Sequence, residues 1–402
     1  MPEWKTQSVV SLTGGHTDPS VQNGLKVSVS EPVLVKRSRW FCWFPSLIRQ
    51  PDGVLWAVMS AYADIHASNS VNYLSRSRDG GLTWEEPRVI GDGGLAHLVK
   101  PDGSVVILPY YMRERARAVR TIGAPCNLLS PQGVLDMQAS GAEVSGWPKP
   151  TKSPLPDAGI AGFVFNGQVV RATDGGYLAT LYGTFEGDTR YALVMAESVD
   201  GLRWQVRAII AGPECDLAGD EGPCESAICR LKDGRLMCLF RLASFVPYGQ
   251  TFSADDGRTW TKPVNTAGPG SVEPSLAVLR DPTGKLSHDV VALSGGRPDI
   301  NVWFSTDGAG KEWQAIDIIA AHNAACDARD RILPDSSTAW KTADDMRKAG
   351  MTGYSSCYTE LMAIDDHTLL VIYDRVGYGW NPIPDDDPDE SKSVWVMRLQ
   401  IS

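Results

Sequence analysis

Short apolar strands joined by tight polar turns recur along most of the chain. In the first copy, alternating apolar positions fill Ser46–Met59 on both sides of Asp52-Gly53. A period of two that is interrupted by Asp and Gly is typical of a β-hairpin. Five later stretches repeat the pattern, so that six hairpins are predicted in all: Ala96–Tyr110, Gln168–Tyr182, Ala227–Phe240, Leu276–Leu293 and Leu361–Tyr373.

A second repeat, of the form S-x-D-x-G-x-T-W, accompanies the hairpins. Ser77–Trp84 and Ser253–Trp260 match it in full, Ser198–Trp204 is one residue shorter, and Ser305–Trp313 is one residue longer. Asp and Gly favour turn conformations, Ser and Thr bond the backbone around them, and Trp can anchor the turn against its sheet. Four such copies indicate a repeat architecture.

The spacing of the hairpins predicts the architecture. Successive hairpin turns lie 50 to 83 residues apart, which fits four-stranded propeller blades with long connecting loops. We therefore predict an all-β fold, a six-bladed β-propeller that occupies residues 1–402 as a single domain. The last strand, Val394–Ile401, is expected to pair with N-terminal residues and close the ring.

Two stretches depart from the repeat. Residues 112–160 contain a basic cluster followed by a Pro/Gly-rich run, and we interpret them as a long surface loop, with a lid or substrate rim as the alternative. Residues 337–350, inside the irregular stretch 320–352, are predicted to form a helix that walls the site. Loops longer than about 12–15 residues in compact domains are often functional.

The charge of the chain narrows the choice of partners. A net charge of −10 disfavours a nucleic-acid partner, although a few local arginines still permit an anionic substrate. No run of 18 apolar residues occurs, so no membrane partner is predicted. We interpret the acidic run at 385–387 as a solvated loop, and we predict no metal site and no cofactor.

The cysteines suggest a reducing compartment. None of the eight cysteines forms a C-x-x-C pair, and the His and Cys spacings fit no zinc pattern. We expect them to be mostly reduced, which suits a cytoplasmic protein. The first residues also lack the basic segment and apolar core of a signal peptide.

Four residues at the expected ends of inner strands have side chains suited to chemistry. They are Glu225 and Arg241, which flank one hairpin, Arg297, and Tyr358, which precedes the last hairpin. Guanidinium groups bind a carboxylate as a planar fork, and a carboxylate near a phenol can act as its general base. Together they predict an anion-binding site with an activated phenol.

The same residues resemble the sialidase (neuraminidase) superfamily. Phe44–Arg49 with Pro51-Asp52-Gly53 is similar to the first-blade motif of that family, and Glu225–Leu236 followed by Arg241 is similar to the segment with the base and the second arginine. Arg297 corresponds to the third arginine. Tyr358–Leu361 with Ile372–Asp374 resembles the nucleophile segment, where Asp374 replaces the usual Glu. The resemblance covers roughly residues 40–380.

The resemblance implies a mechanism and a substrate. Asp64 would protonate the leaving oxygen and later activate water, and Tyr358 would attack the anomeric carbon while Glu225 takes its proton. Sialidases depart from the usual pair of carboxylates in glycosidases because they use a Tyr nucleophile. Arg241 and Arg297 would hold the acid group of a terminal sugar, so a carbohydrate partner and an exo-glycosidase activity are expected.

One position departs from the family pattern. The first arginine of the family is replaced here by Trp43, and Arg37 and Arg39 are close in sequence but out of register. A clamp of three arginines would thereby lose a charge-assisted contact worth about 1.5–3 kcal/mol. Trp43 is either an inner-strand core residue or a surface that stacks on a sugar.

The identity of the acid/base also has alternatives. His66 shares the polar loop of Asp64, and His97 opens the second hairpin. Either imidazole can titrate near neutral pH and replace Asp64 in a diverged site, or lie on the surface as an ordinary cap.

Three function classes therefore remain open. The first is a sialidase-like hydrolase of a terminal acidic sugar. The second is a diverged propeller polysaccharide lyase, or a glycosidase for uronic acids or other sugars, which the missing first arginine favours. The third is a non-catalytic glycan-binding propeller, although binding alone does not require a Tyr and Glu pair.

Overall fold

The structure is a computed structural model. It describes residues 4–7, 10–11, 25–62, 71–91, 96–110, 112–116, 121–124, 126–136, 141–152, 162–282, 284, 286, 288–297, 299–332, 355–379, 381–386 and 391–402. Regular structure in these ranges is almost entirely β, which confirms the predicted all-β class.

The strands follow one another with a single α-helix and one short 3-10 helix between them in the part of the chain that the structure describes. In chain order they are β1 (Trp4–Gln7), β2 (Val10–Ser11), β3 (Val27–Ser30), β4 (Val33–Ser38), β5 (Trp43–Arg49), β6 (Leu55–Ser60), β7 (Asn72–Ser77), β8 (Arg88–Ile90), β9 (His97–Val99), β10 (Val105–Ile107), β11 (Arg113–Ala116), β12 (Thr121–Ala124), β13 (Asn127–Leu129), β14 (Leu135–Asp136), β15 (Ala142–Ser145), β16 (Val164–Phe165), β17 (Val170–Arg171), β18 (Tyr177–Gly183), β19 (Ala192–Ser198), β20 (Arg203–Ala211), β21 (Ser226–Arg230), β22 (Leu236–Phe240), β23 (Pro247–Ser253), β24 (Val264–Gly270), β25 (Ser275–Leu279), β26 (Val290–Gly295), β27 (Asn301–Ser305), β28 (Gln314–Asp317), α1 (Ile318–Ala325), the 3-10 helix (Ala328–Asp330), β29 (Glu360–Ala363), β30 (Thr368–Val376) and β31 (Lys392–Ile401).

All six predicted hairpins form antiparallel pairs: β5 with β6, β9 with β10, β17 with β18, β21 with β22, β25 with β26 and β29 with β30. Five of the six turns contain a glycine with positive φ, for example Gly53 (φ 87°) and Gly175 (φ 90°). The alternation of apolar and polar residues therefore located these elements correctly.

The chain divides into two compact units, of which the first comprises residues 1–65, 71–89 and 266–402. One of its sheets has the order β1-β3-β31-β30-β29, with β4 also paired to β31. A second has the order β2-β28-β27-β26-β25, and a third β5-β6-β7-β8. The last strand thus pairs with strands near the N-terminus, as predicted, through partners such as Val29 and Leu399.

The second unit comprises residues 66–70 and 90–265. Its sheets have the orders β14-β13-β10-β9, β21-β22-β23-β24, and β11-β12-β15-β20-β19-β18-β16 with β17 paired to β18. The last of these contains a parallel pair, β15 with β20. An aromatic core that includes Trp147, Phe163, Phe185 and Trp204 fills this unit.

The interpretation of residues 112–160 as one long loop is wrong in the described part. Five short strands, β11 to β15, cross it, and β12 and β15 join the large sheet through partners such as Ile122 and Val144. Both side chains are buried in the core, so the stretch is an extension of the sheet. Arg117 and Arg120 of its basic cluster lie outside the described residues.

Each S-x-D turn is closed by its own Asp. Around Asp255, one carboxylate oxygen accepts the Ser253 hydroxyl and the backbone N–H of Arg258 and Thr259, and the other accepts the Thr259 hydroxyl. The Trp260 indole then donates to Gly257 O at 3.2 Å. The motif is therefore a self-contained turn, as its residue types predict.

The helices differ from the prediction. The predicted helix at 337–350 lies outside the described residues. The α-helix that the structure does contain, α1, was not predicted; Asp317 caps it by accepting the Ala320 N–H at 2.8 Å. Within the described part of the chain, no helix has the length and apolar character needed to cross a membrane.

Candidate functional site

In the first unit, Tyr358 follows a short segment that one buried carboxylate fixes in place. Asp374 of β30 is fully buried and accepts the Ser355 hydroxyl at 2.8 Å, the Ser356 N–H at 2.7 Å and the Ser356 hydroxyl. It also accepts the Phe44 N–H at 3.1 Å. Burial raises the pKa of Asp374, and these donors lower it by less. One side chain thus fixes both the entry to β29 and the bulged start of β5.

The phenol of Tyr358 lies between an aromatic ring and a cation. The edge of its ring meets Phe44, with 4.9 Å between centroids, and the guanidinium carbon of Arg297 is 5.9 Å from the Tyr358 centroid. Arg297 also donates to Ser356 O at 2.9 Å. Phe44 has φ of 47° and Cys357 has φ of 65°, so the backbone on both sides adopts left-handed conformations that are unusual for these residues.

Trp43 lies behind this segment and is fully buried. Its indole stacks on Phe44, with 4.4 Å between centroids, and donates to Tyr62 O at 2.8 Å. The side chain that lies against Tyr358 is therefore that of Phe44, and a direct contact of Trp43 with a sugar would require its ring to leave this position. Of the nearby arginines, Arg37 pairs with Asp330 at 2.7 Å.

A buried lysine lies on the other side of Trp43. The Nζ of Lys392 is 4.5 Å from the ring centroid of Phe41 and 5.5 Å from that of Trp43, and it donates to Gly379 O at 2.7 Å. Burial lowers the pKa of Lys392 to about 8, while the charge of Asp374 raises it. This amine therefore places a positive charge beside the aromatic rings of Phe41 and Trp43.

Glu360 is a further carboxyl group next to the predicted nucleophile. It begins β29 two residues after Tyr358, and its Oε2 accepts the Leu47 N–H of β5 at 2.6 Å. Burial raises the pKa of Glu360 to about 8, and the Leu47 N–H lowers it by less. A protonated carboxyl at neutral pH follows from this position.

In the second unit, Glu225 and Arg241 form an ion pair at the start of one hairpin. Glu225 directly precedes β21 and Arg241 directly follows β22, and the Arg241 Nη1 to Glu225 Oε2 distance is 2.9 Å. The other terminal nitrogen of Arg241 binds Glu221, with 2.8 Å between Nη2 and Oε1. Arg241 therefore lies between two carboxylates, of which the second was not predicted.

Tyrosines surround this group. Tyr182 Oη and Tyr110 Oη are 2.9 Å apart, and the ring of Tyr191 meets Tyr182 edge-on at 5.3 Å. The pKa of Tyr191 is raised to about 12, mainly by burial and also by the negative charges of Glu221 and Glu225. The pKa of Tyr182 is also raised by burial, so the phenols of Tyr182 and Tyr191 stay protonated at neutral pH and can donate hydrogen bonds.

The remaining predicted residues are placed as follows. Asp64 and His66 lie outside the described residues. His97 begins β9, where it pairs with Ile107 and is half-buried. Asp385 and Asp386 of the acidic run are exposed, and Asp387 lies outside the described residues. Within the described ranges, no group of three or more His, Cys, Asp or Glu side chains has the arrangement of a metal site.

Sequence reasoning missed Glu221, Glu360 and Lys392. For Glu221 a signal existed, because it lies four residues before Glu225 in a Gly/Pro-rich loop. For Glu360 the signal was a charged residue at the start of an inner strand. Lys392 gave none, since only the packing of β31 places it against the aromatic cluster.

Comparisons with known proteins agree with this fold. Residues 137–324 match the model of the BNR repeat-like domain. A structure described as a protein of unknown function from Dyadobacter fermentans is similar over 94% of this chain and 99% of that chain, with a TM-score of 0.57 and 17% identity.

Two glycosidases have similar structures. The Hadza microbial sialidase is similar with a TM-score of 0.58 and 15% identity, over 94% of this chain and 69% of that chain. The α-L-arabinanase of Penicillium chrysogenum, solved with arabinobiose, has a TM-score of 0.55 and 12% identity, over 92% of this chain and 98% of that chain. These likenesses support a sialidase-like propeller fold. No curated protein matches the sequence at a significant level.

Proposed function

We propose that this protein is a glycoside hydrolase that removes a terminal sugar, with Tyr358 as the nucleophile, Glu225 as its base and Asp64 as the acid/base. The observation that carries the proposal is the fixed position of Tyr358, which depends on the four hydrogen bonds to Asp374. Such preorganisation of a nucleophile is what catalysis requires. The likeness to the sialidase and the arabinanase supports the same class.

The proposed reaction has two steps. The Tyr358 oxygen bonds to the anomeric carbon as the glycosidic C–O bond breaks; Glu225 takes the phenolic proton, and the leaving oxygen takes a proton from Asp64. Water then attacks the same carbon and gives a proton to Asp64, while the phenolate leaves and recovers its proton from Glu225. Together, the two steps return Tyr358, Glu225 and Asp64 to their starting states.

The proposal is tested with Tyr358→Phe. Purified protein is assayed on aryl glycosides of sialic acid, other keto-deoxy sugar acids, uronic acids and neutral sugars. We expect the variant to lose at least about 10³-fold in kcat on the preferred glycoside because it has no nucleophile. The matched control is Tyr73→Phe, a half-buried tyrosine of the first unit whose ring also faces a cation, Lys36 at 4.3 Å.

The other outcomes separate the alternative classes. Full activity of Tyr358→Phe would exclude the tyrosine mechanism. An unsaturated product that absorbs in the ultraviolet would indicate a lyase, and glycan binding without turnover of any substrate would indicate a binding propeller.

The nature of the sugar is a second question. The resemblance to sialidases favours an acidic sugar that Arg241 and Arg297 would hold. An uncharged sugar is the second candidate, because Arg241 already binds two carboxylates and Trp43 replaces the first arginine.

We also propose six blades in one propeller, one for each of the six sheets in the described residues. Each sheet contains one of the six predicted hairpins, which supports this count. An experimental structure with five sheets around one axis would contradict it.

A cytoplasmic location is proposed as well. All eight cysteines are thiols rather than members of disulfides, and six of them are buried, which suits a reducing compartment. Fractionation of the producing cells, followed by detection with an antibody, tests this location.

A further inference from the structure

A buried amine and a buried carboxylate share one face of two neighbouring strands in the first unit. Asp374 of β30 lies directly opposite Val394 of β31, and Lys392 comes two residues before Val394. Opposite residues point to the same face, as do residues two apart on one strand, so Lys392 and Asp374 are diagonal neighbours whose Cα atoms are about 7–8 Å apart. Both residues are fully buried. A positive and a negative group therefore lie in the same part of the core.

The hydrogen bonds of Asp374 require its ionised form. Its Oδ1 accepts the Ser356 N–H at 2.7 Å and the Ser355 hydroxyl at 2.8 Å, and its Oδ2 accepts the Phe44 N–H at 3.1 Å and the Ser356 hydroxyl. A proton on either oxygen would occupy a lone pair that one of these donors now binds. The arrangement thus depends on a negative charge in the core, which is costly unless a cation compensates it.

Lys392 brings a positive charge to this depth. Its Nζ donates to Gly379 O at 2.7 Å. Burial lowers the pKa of Lys392 to about 8, and the charge of Asp374 raises it, so the two charges interact and the amine is protonated at neutral pH. Attraction between charges is screened less in the protein interior than in water. The amine therefore compensates the carboxylate without a direct ion pair.

The amine also lies at one end of a stack of rings that leads to Tyr358. Lys392 Nζ is 5.5 Å from the ring centroid of Trp43, Trp43 stacks on Phe44 at 4.4 Å, and Phe44 meets the edge of the Tyr358 ring at 4.9 Å. A cation near an aromatic face is attracted by the π electrons of the ring. Lys392 thus supports the ring side of Phe44, the residue whose N–H Asp374 binds.

Phe44 needs this support because its backbone is strained. It has φ of 47°, and the pairing of β5 with β6 shifts register between Trp43 and Ser46. A left-handed conformation of a bulky residue persists only when the surrounding structure holds it. Without the two charges, Phe44 is expected to relax and to draw its ring away from Tyr358.

We infer that Lys392 is a positioning residue of the candidate site: its charge compensates the Asp374 carboxylate and holds the stack of Trp43 on Phe44, and through both it keeps Tyr358 in place. The inference rests on the proposed role of Tyr358 as the nucleophile. Lys392 is fully buried, so it acts through these residues and not on the substrate.

The first test is Lys392→Met, which nearly keeps the length of the side chain and removes its charge. On the preferred glycoside, we expect kcat to fall about tenfold or more and KM to stay within about twofold, because the nucleophile loses its alignment. A variant with unchanged kcat, or one that changes only KM, would overturn the inference.

A spectroscopic test does not require turnover. The wild type, Lys392→Met and Tyr358→Phe are produced with 3-fluorotyrosine, and the Tyr358 signal is the fluorine resonance that is missing from Tyr358→Phe. We expect this signal to move or broaden in Lys392→Met, and an unchanged signal would refute the inference. If no glycoside is hydrolysed, the glycosidase proposal fails, and the fluorine signal still decides the role of Lys392.

The matched control is Lys36→Met. Lys36 of β4 lies opposite Val394 on the same face, and its Nζ is 4.3 Å from the ring centroid of Tyr73. This variant removes the same charge and a similar contact of a cation with a ring, but not the contact with Trp43. Its kcat and its Tyr358 signal should match those of the wild type, and an effect as large as that of Lys392→Met would contradict the specific role of Lys392.

A double variant covers the case in which Lys392→Met does not fold. Removing one partner of a buried pair leaves an uncompensated charge, whereas removing both does not. We expect Asp374→Asn to lower the melting temperature less in the Lys392→Met background than in the wild type, and the double variant to fold even where Lys392→Met alone does not. Equal losses in both backgrounds, or a double variant that is unfolded as well, would show that the two charges are independent and would overturn the inference.

Discussion

Two carboxyl groups close to Tyr358, the fully buried Asp374 and the half-buried Glu360, have different numbers of hydrogen-bond donors. Asp374 accepts four hydrogen bonds, and Glu360 accepts one, from Leu47 N. A buried carboxylate needs several donors to offset its lost hydration, whereas a protonated one needs fewer. At the scale of single residues, the first group fixes the site and the second carries a proton.

Glu360→Gln is expected to flatten the dependence of stability on pH. The pKa of Glu360 is raised from 4.5 to about 8 by burial, so between these pH values the native state holds a proton that the unfolded chain has lost. The free energy of unfolding therefore falls as pH rises through this window. Urea unfolding at pH 5 and pH 8 should show a difference smaller in the variant by at least about 1 kcal/mol, since one pKa unit corresponds to about 1.4 kcal/mol.

The control for this change is Glu312→Gln, an exposed position of the first unit. It should leave the wild-type pH dependence in place. An equal drop in stability from pH 5 to pH 8 in wild type and Glu360→Gln would show that Glu360 ionises normally.

From the sequence, the residues of the candidate site could be proposed more easily than the side chains that contact them in the structure. Tyr358, Glu225 and Arg241 stand beside strands whose pattern is clear, so their positions could be predicted. Asp374, which binds Ser356, lies on a different strand, and Lys392, which lies against the ring of Trp43, is on a strand far along the chain. Only tertiary packing brings them together, and no local pattern encodes it.

At the scale of elements, each S-x-D turn is a local structure that the hydrogen bonds of its Asp hold together. Asp307 accepts four backbone N–H groups, from Ala309, Gly310, Lys311 and Glu312, at 2.7 to 2.9 Å. Burial raises the pKa of Asp307, and the hydrogen bonds from Ala309 and Glu312 outweigh it, so that the pKa is lowered overall. The ionised Asp307 side chain thus accepts the backbone N–H groups of residues 309–312, which in a sheet would bond to a neighbouring strand.

Asp307→Asn should destabilise the first unit by about 1–3 kcal/mol, because an amide offers one oxygen where the carboxylate offers two. The loss of stability should be smaller at low pH. The pKa of Asp307 is lower in the folded protein than the 3.8 of the unfolded chain, so its carboxylate stabilises the fold above pH 3.8, and this contribution disappears as the pH falls through the pKa of the folded state. Urea unfolding at pH 7 and pH 3 measures both effects.

Asp52→Asn provides the comparison for Asp307→Asn. Asp52 is exposed and accepts a single backbone N–H, that of Val54 at 3.0 Å. A loss of stability as large as that of Asp307→Asn would mean that the number of donors does not matter.

Elements with a clear period of two could be predicted, and shorter ones could not. The six hairpins follow from alternation, but β11 to β15 have two to four residues each, amid arginines, prolines and glycines. Such strands are defined by their neighbours in the sheet, for example β15 by its parallel partner β20. The helix α1 was also missed. Its eight residues are mostly apolar or small, and five of them are buried.

At the scale of the whole chain, one sheet of the first unit unites both ends of the sequence. The strand β31 pairs with β30 on one side and with β3 and β4 on the other. Val396 is fully buried in its middle, opposite Ile372 and opposite Val33. The expected closure of a propeller ring allowed this pairing to be predicted, whereas the division into two compact units has no counterpart in the sequence pattern.

Val396→Pro should destabilise the first unit by more than about 3 kcal/mol, because proline removes a ladder N–H in a central strand. Near-ultraviolet circular dichroism and thermal unfolding would show the loss of fixed packing. The control is Val33→Pro, at the first residue of β4, which among the described strands pairs only with β31. Proline is tolerated at the start of an edge strand, so equal damage by both substitutions would contradict the assigned roles of the strands.

Arg190 donates to three carbonyl oxygens of the loop that contains Glu221, and these bonds also bear on protein engineering. Since a side chain outside the loop holds its backbone, the exposed residues Glu214, Asp216 and Ala218 can be varied without loosening the turn that carries Glu221. Combinatorial libraries at these three exposed sites would vary the surface of this loop while its backbone stays in place. Randomising Arg190 itself would remove that frame, so it should be the position kept constant.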